Sequence, residues 1–121
     1  MKRIFCVLVI LTVCGCLPVT AQNKEKSLYE RLGGVYAIAT VVDDFIERLL
    51  VNEVLNSNPQ IREARDRVPK AGLKFQVTAL VCQATGGPQV YTGRSMKEAH
   101  QHLRITEREW KALGDEFKKS L

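Results

Sequence analysis

The sequence predicts an all-α domain, and three observations carry that prediction. Three times a Ser or Thr stands three positions before a Glu at the head of a patterned stretch: Ser27-Leu28-Tyr29-Glu30, Ser95-Met96-Lys97-Glu98 and Thr106-Glu107-Arg108-Glu109. Each is a capping box, in which the hydroxyl accepts from a first-turn amide and the Glu reaches back to the cap. Apolar residues recur at steps of three and four along the longer segments. No segment beyond residue 26 sustains the period-two alternation of a half-buried strand.

The elements follow in order. Met1-Lys2-Arg3 is a short cationic head and Ile4 to Val13 an apolar run broken only by Thr12. That run is too short for an ordinary membrane span and has the anatomy of a signal peptide. Val13-Cys14-Gly15-Cys16 resembles a bacterial lipobox that would lipidate Cys16, while Val19-Thr20-Ala21 resembles a small-x-small cleavage site. Residues 1–21 are therefore read as an export or lipoprotein signal, 22–26 as a polar linker and 27–121 as the folded domain. The expected location is outside the cytoplasm, periplasmic or anchored to a membrane through Cys16.

From Ser27 a short helix runs to Gly33-Gly34, which can take the left-handed conformation that closes a helix. Ile38, Val41, Val42, Phe45 and Leu49 form one apolar face of a second helix ending near Val51-Asn52. Asn56 to Pro59 is turn-like, and the charged stretch Gln60 to Arg67 predicts at most a short exposed helix. Pro69 suits the first turn of the next helix, whose apolar face reads Leu73, Val77, Leu80, Val81 and Ala84. Gly86-Gly87-Pro88 stops it, and a loop runs to Gly93. Met96, Ala99, His100 and Leu103 share the apolar face of the helix opened by Ser95. Trp110, Leu113, Phe117 and Leu121 fall on one side of the last helix.

Composition bounds the function. A chain of 121 residues with 45% hydrophobic content suits one domain. Its formal net charge of +5 falls by two if Lys2 and Arg3 leave with the signal. The remaining charges are intermixed and no basic stripe interleaves with aromatics, which excludes the nucleic-acid footprint. Of the four cysteines only Cys82 lies in the folded domain, too few for an internal disulfide, a structural zinc or an iron–sulfur cluster. Cys82 reads as a small core residue.

His100 and His102 are the only histidines. Two positions apart on a helix they diverge, so one metal cannot take both. His100 shares the apolar stripe with Met96 and Leu103, whereas His102 sits among polar neighbours and should face solvent. An inward histidine either stays neutral and donates to a carbonyl or offers a ring nitrogen as a ligand. A single protein ligand is too few for zinc but suffices for haem iron, whose equatorial positions the porphyrin fills.

Leu28-Tyr29-Glu30-Arg31-Leu32-Gly33-Gly34, Val41-Val42-Asp43-Asp44-Phe45, Gly86-Gly87-Pro88, Tyr91-Thr92-Gly93-Arg94-Ser95-Met96, Glu98-Ala99-His100 and Ile105-Thr106 resemble, in this order, the group 1 truncated haemoglobins. The combination of both glycine pairs with the Tyr-Thr-Gly loop and the Met-x-x-x-His helix carries the resemblance. It implies a two-over-two helical sandwich around haem b, with His100 as the proximal iron ligand. It also implies porphyrin contacts from Phe45, Leu73, Val77, Leu80, Met96, Ile105 and Trp110. Ile46 stands where the family often carries a Tyr, and Leu73 and Val77 stand where it often carries Gln or His. Gln76 is the nearest polar side chain and is expected at the rim. The family's final helix has no counterpart before Leu121.

The function this implies is reversible binding of oxygen, carbon monoxide or nitric oxide, served by an unidentified reductant. Nitric oxide dioxygenation is its enzymatic version. The alternative from another class is an exported helical interaction module that keeps the globin outline and has lost haem.

Overall fold

The computed structural model describes residues 24–121. The expected export signal, residues 1–21, and the first residues of the expected linker lie outside them. Among the described residues every regular element is helical. In order they are α1 (Leu28–Arg31), α2 (Gly34–Val51), α3 (Glu53–Asn56), α4 (Pro59–Arg67), α5 (Lys70–Ala84), α6 (Met96–His100), a 3-10 turn (Gln101–Leu103) and α7 (Glu107–Ser120).

All three capping boxes form as the sequence predicts, with Ser27, Ser95 and Thr106 accepting from the amides of Glu30, Glu98 and Glu109. In return each cap residue's amide donates to its Glu carboxylate, and these bonds from the cap, joined at Ser27 and Ser95 by the hydroxyl, hold each Glu below the usual carboxylate range. Gly33 and Gly34 have φ of 94° and 77°, so the chain turns from α1 into α2 through two left-handed residues that only glycine adopts without cost.

The two glycine pairs of the sequence meet around one tyrosine. The Tyr29 amide donates to the Thr85 carbonyl at 2.8 Å, tying α1 to the end of α5. Its hydroxyl accepts from the Val35 amide at 3.0 Å and from Gln89 Nε2 at 3.3 Å. Gly87 passes so close beneath the ring that a Cβ there would lie 2.5 Å from a ring carbon and 2.9 Å from the Cys82 carbonyl. The start of the domain and the loop after α5 are thereby locked together.

The core sits between α2 and its two long neighbours, α5 and α7. Ile38, Val42, Phe45, Ile46 and Cys82 are buried, and Leu73, Val77, Val81, Leu113 and Phe117 pack on them. Phe45 meets Phe117 edge to face at 5.1 Å between centroids. Lys74 straps α2 to α5 through Asp43 and Glu47, each at 2.6 Å. Burial pushes the Cys82 thiol up, as befits an inert core residue. No helix among the described residues is long and apolar enough to cross a membrane.

Several expectations need correction. The buried face of α2 includes Ile46, 2% exposed, while Val41 is only half-buried. In α5 the fully covered positions are Ala79 and Cys82, and Ala84 is exposed. That helix carries apolar residues on its solvent side as well, Phe75 being 69% exposed, so its sequence has no single stripe to read. Gln60 to Arg67 belongs to a nine-residue helix, with Ile61, Ala64 and Arg65 half-buried. Pro69 stands at the cap of α5 rather than inside its first turn. Leu121 is 72% exposed and leaves the face formed by Leu113 and Phe117.

Candidate functional site

The candidate ligand lies where α6 ends. Ser95 starts this helix, and five residues later His100 has its ring folded back along the axis, with Nδ1 2.7 Å from the Met96 carbonyl oxygen. A carbonyl oxygen can only accept, so Nδ1 carries the proton and the Nε2 lone pair is left for another partner. A metal-ligating histidine has this same arrangement, with its second nitrogen donating to a carbonyl that fixes tautomer and ring direction. His102 is exposed, as its neighbours predict.

His100 opens into a groove of about 370 Å³, lined also by Met96, Ile105 and Trp110 and edged by Lys97, Gln101 and Arg104. The indole of Trp110 is 5.7 Å from the imidazole, tilted at 44°. Met96 and Trp110 remain 44% and 46% exposed. The sequence places both on buried faces; the structure instead turns them into the groove, because α6 packs chiefly on the 3-10 turn and meets α7 through His100 and Trp110.

The eight residues marked in the sequence thus fall into groups. His100, Met96, Ile105 and Trp110 come together in the groove. Phe45, Leu73 and Val77 come together in the core beside Ile46, an apolar wall without a hydrogen-bond donor of its own. Leu73 further borders a cavity of about 220 Å³ with Leu50, Arg65, Asp66, Val68 and Lys70. Leu80 is half-buried and belongs to neither group. Gln76, expected at the rim, has its Oε1 buried and without a hydrogen-bond partner.

Sequence reasoning missed the residues that hold the His100 segment in place. Asn58 Nδ2 donates to the Leu103 carbonyl at 3.1 Å and to Glu109 Oε2 at 3.2 Å, while its Oδ1 caps α4 by accepting from the Gln60 and Ile61 amides. Both Asn58 and Glu109 are buried. One amide therefore ties α4, the turn after His100 and α7 together. The signal was present in part: Asn followed by Pro is a cap followed by a first-turn proline.

The donor set suits haem. Among the described residues no three His, Cys, Asp or Glu side chains converge as a metal cage would need. One histidine with a free Nε2, set among a thioether, an indole and an aliphatic side chain, supplies what an iron porphyrin requires: one axial nitrogen and an apolar surface for the ring.

Comparison with known proteins agrees. The chain is 36% identical over 78 residues to the group 1 truncated haemoglobin of Synechocystis, which covers 64% of this chain and 58% of that protein. It is 38% identical over 85 residues to the group 1 truncated haemoglobin of Mycolicibacterium paratuberculosis, covering 70% and 58%. The chain thus spans less than two thirds of the length of these relatives. Crystal structures of truncated haemoglobin from Tetrahymena pyriformis, in Fe(III) forms, superpose with a TM-score of 0.66 at 23% identity, covering 78% of this chain and 76% of that one. That likeness establishes the all-α globin fold. The bacterial-like globin family matches residues 27–121, and the chain belongs to that family.

Proposed function

We propose that this protein binds haem b through His100 and uses it to hold a diatomic gas. Membership of the truncated-haemoglobin family supports a haem-binding globin. The single observation that carries the residue assignment is the Nδ1 contact to the Met96 carbonyl, which leaves Nε2 free within an apolar groove. Haem, when bound, supplies an iron with one position open to oxygen, carbon monoxide or nitric oxide. Met96, Ile105 and Trp110 are the groove side chains available to the ring, and contacts from Phe45, Leu73, Val77 and Leu80 would require the ring to reach the core between α2 and α5.

The wall of Ile46, Leu73 and Val77 offers no donor to a polar gas. A hydrogen bond to a charged acceptor contributes about 1.5 to 3 kcal/mol. The reading is therefore of weak oxygen retention relative to carbon monoxide, with a reductant returning the iron to its ferrous state. Nitric oxide dioxygenation is the enzymatic form of the same site.

Absorption spectra of the purified protein, oxidised, reduced and with carbon monoxide, test this. His100→Ala is expected to lose the histidine-ligated spectrum and regain it with added imidazole, while His102→Ala keeps the parent spectrum. Identical spectra from His100→Ala and the parent would end the assignment, and a folded, colourless protein that refuses haemin would leave the interaction-module reading standing. We further propose that residues 1–21 export the domain. The mass of the mature N-terminus should show a lipidated Cys16 or a start at Gln22, and an intact Met1 on cytoplasmic protein would refute it.

A further inference from the structure

Resting on the reading of Cys16 as a lipidated anchor, we propose that the end of the domain made by α1, the first turn of α2 and the loop after α5 lies against a lipid bilayer, with Leu28, Leu32, Tyr36 and Val90 as its contacts. Among the described residues ten large apolar side chains stand exposed, and four of them are these. Leu28 and Leu32 lie one turn apart on α1 and its cap, and Tyr36 follows in the first turn of α2, just beyond Gly33 and Gly34. Val90 is next to Gln89, whose Nε2 donates to the Tyr29 hydroxyl, and the Tyr29 amide donates to the Thr85 carbonyl, so the loop is held beside α1. Tyr36 and Val90 are 86% and 72% exposed. Single exposed apolar residues are ordinary, whereas a group gathered at one end marks a contact surface.

The tether says what covers it. Ser27 is eleven residues beyond Cys16, a stretch that reaches at most about 40 Å. A domain of this size is roughly 30 Å across. An acyl chain on Cys16 would keep α1 at the bilayer, whereas the opposite end could touch it only with the tether drawn nearly taut around the domain. Such a link gives the α1 end a high effective concentration at the lipid, so a modest patch suffices. The side chains suit that partner, since aliphatic residues enter the acyl boundary and a tyrosine ring sits at headgroup level. Charge has the smaller part: Lys24, Lys26 and Arg31 stand against Glu25 and Glu30, an excess of one. The contact is therefore apolar in the main and should survive salt.

The test uses the full chain, processed and acylated in a bacterial host, in vesicles of phosphatidylethanolamine and phosphatidylglycerol with brominated acyl chains. A bimane label is placed through Tyr36→Cys, Val90→Cys or Val51→Cys; Cys82 is buried and takes none. Val51 is as exposed as Val90 but closes the far end of α2. Labels at positions 36 and 90 are expected to shift to the blue and be quenched by bromine, and the label at 51 to do neither. Leu28→Gln with Leu32→Gln should lose most of the quenching at position 36 while the protein stays on the vesicles, with circular dichroism verifying the fold. Val90→Gln, at a more exposed site, should lower it without touching α1. Sodium chloride at about 0.5 M, which screens surface charge, should leave the quenching in place.

Equal quenching at positions 36 and 51, no quenching at either, or variants quenched as the parent is, overturn the inference while an acylated Cys16 leaves the anchor reading standing. A blue shift at position 36 that grows with protein per vesicle and is not quenched by bromine means that a second copy covers this end, and overturns it too. A mature chain that begins at Gln22 without an acyl group overturns the anchor reading and this inference with it.

Discussion

The half of the molecule built on α2, α5 and α7 and the half built on α6 are held by different forces. In the first, Val42, Ile46 and Cys82 are closed off from solvent and Phe45 is wedged on Phe117, so the hydrophobic effect dominates. In the second, no side chain of α6 is buried; the helix stands on its capping box, and the turn after it is pinned by Leu103 and the Asn58 amide. The difference teaches where a ligand's binding energy would be spent. A haem against Met96, Ile105 and Trp110 would complete the packing of the α6 half, while the α2 half already has its core.

The sharpest way to break this comparison is a pair of truncations, one in the α2 core and one at the start of α7 where Trp110 faces the α6 groove. Phe45→Ala removes a buried ring from the α2 core and should cost about 3 to 5 kcal/mol in urea unfolding of the haem-free protein. Trp110→Ala removes a larger ring that is nearly half exposed, and should cost under about 1 kcal/mol in the same measurement. With haemin bound the order should narrow, because the indole would then pack against the porphyrin, and haemin should leave Trp110→Ala faster than the parent. Equal costs in the haem-free protein would mean that the α6 half is packed without a ligand, and the contrast would fall.

The two halves also differ in how much the sequence showed. Capping boxes and glycine stops are local devices, so Ser27, Ser95, Thr106 and the Gly33-Gly34 pair could be read directly, and α2 followed from its apolar period. The exposure of Met96 and Trp110 could not, because helical period tells which residues share a stripe and not whether another helix covers it. The same limit hid Ile46, whose burial depends on how α2 is shared between α5 and α7. α4 was underestimated because its charges dominate its pattern, yet half-buried Ile61 and Ala64 anchor it. His100 was legible as a candidate from its stripe alone. The groove beside it, the left-handed Arg104 and the reach of Asn58 to Leu103 and Glu109 depend on contacts far apart in the chain.

Asn58 gives the finer test, since its amide is the polar counterpart in the α6 half of the α2 core. Asn58→Ala loses the cap of α4, about 1 kcal/mol. It also strips the buried Leu103 carbonyl of its donor, about 1 to 3 kcal/mol. Asn58→Asp separates the two, because an aspartate oxygen caps α4 as well as the asparagine oxygen does but cannot donate. It also sets a second carboxylate beside Glu109, whose own carboxyl is held low chiefly by the Thr106 amide and further by the Asn58 side chain. In the parent the ionised Glu109 therefore contributes stability that is complete above its ordinary value of 4.5 and is lost as pH falls through its lowered one. In Asn58→Asp the two carboxylates repel at neutral pH and one proton between them relieves it, so the deficit against the parent should be largest near pH 7 and shrink toward pH 4. The deficit of Asn58→Ala carries no such relief and should change less over that range. Urea midpoints of the haem-free parent and both variants at the two pH values decide the matter. An Asn58→Asp protein as stable as the parent at pH 7 would show that the amide caps α4 and nothing more, and that the turn carrying His100 is fixed by Leu103 alone.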